Sequence, residues 1–187
     1  MRRLAVLTGT LLAVAIIGGC GDSGDPEIPT RVVTVKPDPP GRPQTLGPLT
    51  QRQRDQTKRI IARDRRFRRI VGTDSYRLTR AIPLGAQDNR GAQPREVFIG
   101  TRSEVNLSDP RPLVVTTWPL MEFPREAEEA QEPTYKVMTA RLTVRGLRSL
   151  VVFVDLKRRT VAGMSVLKAD DVKFPSGWPT VRLPTGE

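Results

Sequence analysis

The chain of 187 residues has no histidine and a single cysteine, and its aromatic content is 5%. Each shortage excludes something. Without histidine there is no Ser–His–Asp or Cys–His catalytic unit and no imidazole-based zinc or iron site. One cysteine cannot close a disulfide within the chain. Few aromatics leave a core of mostly aliphatic side chains. No Gly-x-Ser-x-Gly elbow or glycine-rich phosphate loop is present. What the chain has in excess is positive charge: 31 Lys+Arg against 20 Asp+Glu, a formal net charge of +11.

The first twenty residues read as an address. Arg2 and Arg3 precede an apolar stretch from Leu4 to Ile17, followed by Ile17-Gly18-Gly19-Cys20. That is the layout of a secretory signal with small residues before the cut, and it is too short to span a bilayer, which takes about 20 apolar residues. The segment resembles the bacterial lipoprotein lipobox: an aliphatic residue, two small residues, then Cys. The resemblance implies cleavage before Cys20, a diacylglycerol on its sulfur and a protein held outside the cytoplasmic membrane. Anchoring by two or more acyl chains is stable where one is not. The expected division is therefore a cleaved signal over 1–19, a lipidated Cys20 with a Pro-rich tether over 20–48, and one domain over 49–187.

Residues 21–48 carry seven of the 17 prolines. Such a composition cannot bury a core and favours extended backbone, reaching roughly 90 Å at ~3.1 Å per residue. One β-prone patch, Arg31 to Val35, is suited to docking as an edge strand where the domain or a partner offers one.

From Leu49 to Val71 there is neither Gly nor Pro, and Thr50 is a suitable N-cap. On a helical wheel Ile60, Ile61, Phe67 and Val71 fall within about 120°. Arg54, Lys58, Arg59, Arg65, Arg66 and Arg69 lie opposite and form the candidate binding surface. Between Gln51 and Arg69 stand nine basic and two acidic residues. Asp64 falls inside the apolar arc. It either pairs with Arg68 one turn on, or N-caps a second short helix from Arg65 to Val71, and the second reading is preferred. Gly72 ends the segment as a C-terminal cap.

Beyond Gly72 the pattern is of strands over 75–84, 96–102, 112–120, 134–146, 149–156 and 161–167, with a turn at Lys157 to Thr160. Helix first and strands after give an α+β class: an amphipathic helix on an antiparallel sheet of five or six strands. The helix around Ile60, Ile61 and Ala62 and the hairpin Phe153-Val154-Asp155-Leu156 to Val161 resemble the cystatin-like and PepSY-like envelope domains. That likeness implies a non-catalytic role in binding, inhibition or regulation.

Other candidate chemistry has plain alternatives. Glu122, Glu126, Glu128, Glu129 and Glu132 form an acidic run, but without calcium-loop spacing they read as a solvated loop or a neutraliser of the basic helix. Asp170 and Asp171 are adjacent, and neighbours in a strand point to opposite faces. No cofactor and no metal are expected. DNA is the usual partner of so basic a surface, but the export signal argues against nucleic acid and toward anionic lipid or anionic wall polymer. The sequence thus leads to a membrane-anchored, non-catalytic lipoprotein that binds an envelope protein or an anionic envelope component. The alternatives are a carrier of a small apolar ligand held between helix and sheet, or an envelope hydrolase that uses carboxylates such as Asp155 or Glu129.

Overall fold

A computed structural model describes residues 29–35, 46–88, 95–122 and 133–176. The class is α+β, with two helices and a six-stranded antiparallel sheet. In chain order the elements are β1 (Thr30–Thr34), α1 (Gln51–Arg63), α2 (Arg65–Val71), β2 (Tyr76–Asp88), β3 (Arg95–Glu122), β4 (Thr134–Asp155), β5 (Thr160–Lys168) and β6 (Asp171–Lys173).

The helical region is two helices, with Asp64 at the joint. Thr50 opens α1 through a capping box: its Oγ1 accepts from Gln53 N at 3.2 Å, and Gln53 Oε1 accepts from Thr50 N at 2.8 Å. At Asp64 the backbone is extended (φ −69°, ψ 122°), which no α-helix accommodates. Its carboxylate accepts from Arg66 N at 2.8 Å and Phe67 N at 2.9 Å, capping α2. Gly72, at φ 74°, closes α2 in a conformation that suits glycine.

The sheet is organised around β4. From Lys136 to Asp155 one edge pairs with β3. The other edge is tiled by three short strands: β1 on 134–138, β6 on 143–145 and β5 on 149–155. β2 flanks the first part of β3, pairing over 95–107.

Two differences from the expected strand list have a common cause. The stretches 96–102 and 112–120 are one strand, β3, and 134–146 and 149–156 are one strand, β4. A register shift between Asn106 and Arg111 bends β3, and Gly146 at φ 59° bends β4 opposite it. Pro110 and Pro112 sit at this irregularity, where a missing N–H costs least. The pair bends without ending, and a ribbon of this length curls on itself. Met121, near its tip, lies against β5: a Cβ added at Gly163 would fall 2.5 Å from Met121 Cβ.

The curl encloses two cores. The larger packs Ile61, Phe67, Ile70 and Val71 of the helices on Val105, Val114 and Trp118 of β3, on the β4 run from Ala140 to Val154, and on Val161 and Met164 of β5. Phe67 meets Tyr76 edge-on at 5.0 Å. The smaller gathers Val33, Val35 and Tyr135 with Ala86, Val97, Ile99 and Ala162. Residues 30–35 are thus part of the folded body, with Val33 and Val35 buried. The rest of 20–48, except 29 and 46–48, lies outside the described residues, as do Trp178 and the acidic positions 126–132.

Candidate functional site

The feature of the surface with the strongest chemical character is a groove of about 550 Å³ between α1 and the β4–β5 turn. Arg52, Gln56, Arg59, Ile60 and Arg63 of α1 form one wall, Asp64 and Arg65 the end at the helix joint, and Arg159, Thr160 and Val161 the facing wall. At 100° per residue, Arg52, Arg59 and Arg63 fall within about 40° of one another, a single stripe along the helix. Gln56 and Ile60, one turn apart, lie just beside that stripe.

The walls are held at fixed separation by two cross-links. Gln56 Nε2 donates to Leu156 O at 3.3 Å, and Arg66 Nη2 donates to Val161 O at 2.7 Å. Deeper in, the buried hydroxyls of Thr57 and Thr101 lie 3.1 Å apart and join α1 to β3. The helix therefore cannot slide along the hairpin without breaking buried contacts.

The groove's electrostatics are one-sided. Five arginines line it against one carboxylate, Asp64. That carboxylate is already engaged: Oδ1 takes two backbone N–H groups of α2, and Oδ2 pairs with Arg66 Nη2 at 3.1 Å. Among the described residues none forms an ion pair with Arg52, Arg59, Arg63, Arg65 or Arg159. Clustered guanidiniums repel one another, and the local potential of the groove is positive.

Arg159 is placed there by an unusual backbone. It is the non-glycine residue with positive φ among the described residues, at 53°. Left-handed backbone costs a side-chain-bearing residue roughly 1–2 kcal/mol. The turn that imposes it is anchored by Asp155, which is fully buried. Asp155 accepts from Arg158 N at 2.8 Å, Arg158 Nη1 at 2.9 Å and Tyr135 Oη at 2.8 Å. Arg158 Nη2 then reaches Thr34 O of β1 at 2.7 Å. Burial above all, then the hydrogen bond to Asp155 and that carboxylate's charge, push the Tyr135 phenol well above its ordinary value; Arg158 and Arg31 partly oppose them.

The structure divides the residues singled out from the sequence. Arg59 and Arg65 line the groove. Arg66 belongs to its framework, bridging Asp64 and Val161. Arg54 turns back to Leu49 O, at 2.8 and 3.2 Å from Nη2 and Nε. Lys58 and Arg69 are exposed outside the groove lining. Cys20 lies outside the described residues. Arg52, Arg63 and Arg159 were not singled out. The spacing 52, 59, 63 was a visible signal for the first two. Nothing local marks Arg159, which meets α1 only because the hairpin folds against it.

The acidic residues named from the sequence that fall among the described residues stand in different parts of the fold, and Glu129 lies outside those residues. Asp155 accepts three hydrogen bonds, two from Arg158 in the turn and one from Tyr135, and Asp170 pairs with Arg148 at 3.0 Å. Asp171 sits opposite Arg145 in the β4–β6 ladder, and Glu122 ends β3.

Compared with protein-family models, curated proteins and solved structures, the chain matches none of them.

Proposed function

We propose that this chain is a lipid-anchored extracytoplasmic protein that binds an anionic component of the cell envelope in the arginine groove, without catalysing a reaction on it. The observation that carries the reading is the groove: five guanidiniums on two walls around a carboxylate already occupied by its own helix cap. The address supports the setting. The likeness of Ile17-Gly18-Gly19-Cys20 to a lipobox supports a lipid on Cys20, and the anionic surfaces met outside the membrane are lipid headgroups and wall polymers rather than nucleic acid. A small apolar ligand fits the groove less well, since among the described residues Ile60 and Val161 are its only aliphatic lining. The layout of helices over an antiparallel sheet, with the closing hairpin 153–161, supports a cystatin-like assignment only as a proposal.

The test uses the full chain in detergent and protein-free envelope fragments. Co-sedimentation should fall with rising salt, and R59Q/R63Q should weaken it about tenfold, as expected for loss of two charge-assisted contacts. The control K58Q/R69Q removes the same charge outside the groove and should change it less than twofold. Equal loss in both pairs would mean that general charge, not the groove, does the binding. The address is tested separately: C20A should leave the protein unlipidated by mass spectrometry and released from the membrane fraction.

A further inference from the structure

Resting on the groove as an anion site, we propose that its ligand is a linear polymer carrying repeated phosphodiesters, lying along α1 with successive phosphates on Arg52, Arg59 and Arg63. Three features lead there. The first is length. Helix rise separates Arg52 from Arg59 by ~10 Å and Arg59 from Arg63 by ~6 Å. A single small anion reaches one or two of these, whereas a chain of charges reaches all three.

The second feature is the two-walled arrangement. Arg65 and Arg159 face the stripe from the helix joint and the hairpin turn. A carboxylate accepts mainly within its own plane, whereas the two non-ester oxygens of a phosphodiester accept over a wider range of directions and so suit guanidinium forks set on two walls, a use for which arginine is better shaped than lysine. Arg159 reaches its place through a left-handed backbone at φ 53°, a conformation that glycine would adopt without cost. The arginine at this position puts a positive charge on the facing wall at a backbone cost.

The third feature is the lining between the charges. Ile60 of α1, and Thr160 and Val161 of the hairpin, line the groove among the arginines. Short aliphatic linkers between phosphates would lie against these residues, while a bare polyphosphate would leave them facing charge. The occupant is therefore a polyol-phosphate polymer of the wall type and not the single headgroup of a lipid, which offers one phosphate at a time.

The experiment is titration calorimetry of the full chain in detergent against four probes: poly(glycerol phosphate), poly-glutamate of equal charge, inorganic phosphate, and vesicles containing phosphatidylglycerol. Poly(glycerol phosphate) should bind at least tenfold more tightly than poly-glutamate, and inorganic phosphate should not displace it at millimolar concentration. The slope of log K against log salt should be about −2, as expected for three neutralised phosphates on a single strand. R52Q should weaken polymer binding several-fold and R59Q/R63Q more, with K58Q unchanged. Equal affinity for poly-glutamate overturns the phosphate assignment. Displacement by inorganic phosphate overturns the polymer. Vesicles binding as tightly as the polymer through the same arginines overturn the choice of polymer over headgroup. If R59Q/R63Q alters no probe, the groove itself is not the anion site, a different failure from the other three.

Discussion

Two residues in the groove separate stability from binding. Asp64 caps α2 and neutralises Arg66, and Asp64→Ala should destabilise the protein by about 1–2 kcal/mol, the usual cost of a lost N-cap and ion pair. A fall in Tm of roughly 3–8 °C by calorimetry would register it. Arg159→Gly should act in the opposite sense. It relieves the positive φ, so Tm should hold or rise, while anion binding weakens. A drop in Tm on this change would mean that the arginine side chain holds the turn. Tyr135 gives a prediction in pH. Its phenol is held protonated above the ordinary 10.0, so the folded state keeps a proton that the unfolded chain loses. Stability is therefore full below pH 10 and declines as pH rises above it, by up to ~1.4 kcal/mol per pH unit for one proton. Tyr135→Phe should be less stable at neutral pH but have a shallower alkaline decline in urea titrations from pH 9 to 11.5. At this scale the sequence was legible where the cause is local. Asp64 reads as a cap because its partners are two and three residues on. Arg159 and Tyr135 owe their roles to groups at great separation, and no nearby residue signals them.

At the scale of elements, β1 is the informative case. The alternation of Val33 and Val35 with exposed Val32 marks Arg31 to Val35 as a strand with one buried face. Its partner stands about a hundred residues on, with Thr34 opposite Thr134, and composition cannot point that far. The same limit hid the continuity of β3 and β4. Pro110, Pro112 and Gly146 are turn residues by local chemistry, yet the ladder passes through them as bends because pairing on the far side is maintained. β1 is held by the buried faces of Val33 and Val35, by Arg158 on Thr34 O and by Val35 N on Pro133 O at 2.7 Å. Val35→Asp places a charge in the smaller core, a cost well beyond what five residues of edge ladder return. Hydrogen exchange should then become fast in Thr30–Thr34, while amides of α1, which belongs to the other core, stay protected. If β1 remains protected, the ladder and Arg158 alone suffice to hold it.

For the whole molecule, the docking of β1 changes how far the protein stands from its proposed anchor. Composition alone allows residues 21–48 to act as one spacer, roughly 90 Å long when extended. With Thr30 fixed in the sheet, nine residues, 21 to 29, separate Cys20 from the folded body. Fully extended, they span no more than about 32 Å. A lipid on Cys20 would therefore keep the edge of β4 close to the headgroups, where the formal charge of residues 20–187, +9 once Arg2 and Arg3 leave with the signal (29 basic against 20 acidic), is drawn inward by anionic lipid as well as by wall polymer. Neutron reflectometry of the lipidated protein, residues 20–187, on a supported bilayer should find the protein layer beginning within about 32 Å of the headgroups. Val35→Asp, by releasing β1, should move that layer outward, since residues 30 to 48 then join the spacer. A wild-type layer already far from the bilayer would show that β1 leaves the sheet when the protein is anchored. A layer that stays close in the variant would show that charge, not chain length, sets the height, and raising the salt would then lift it.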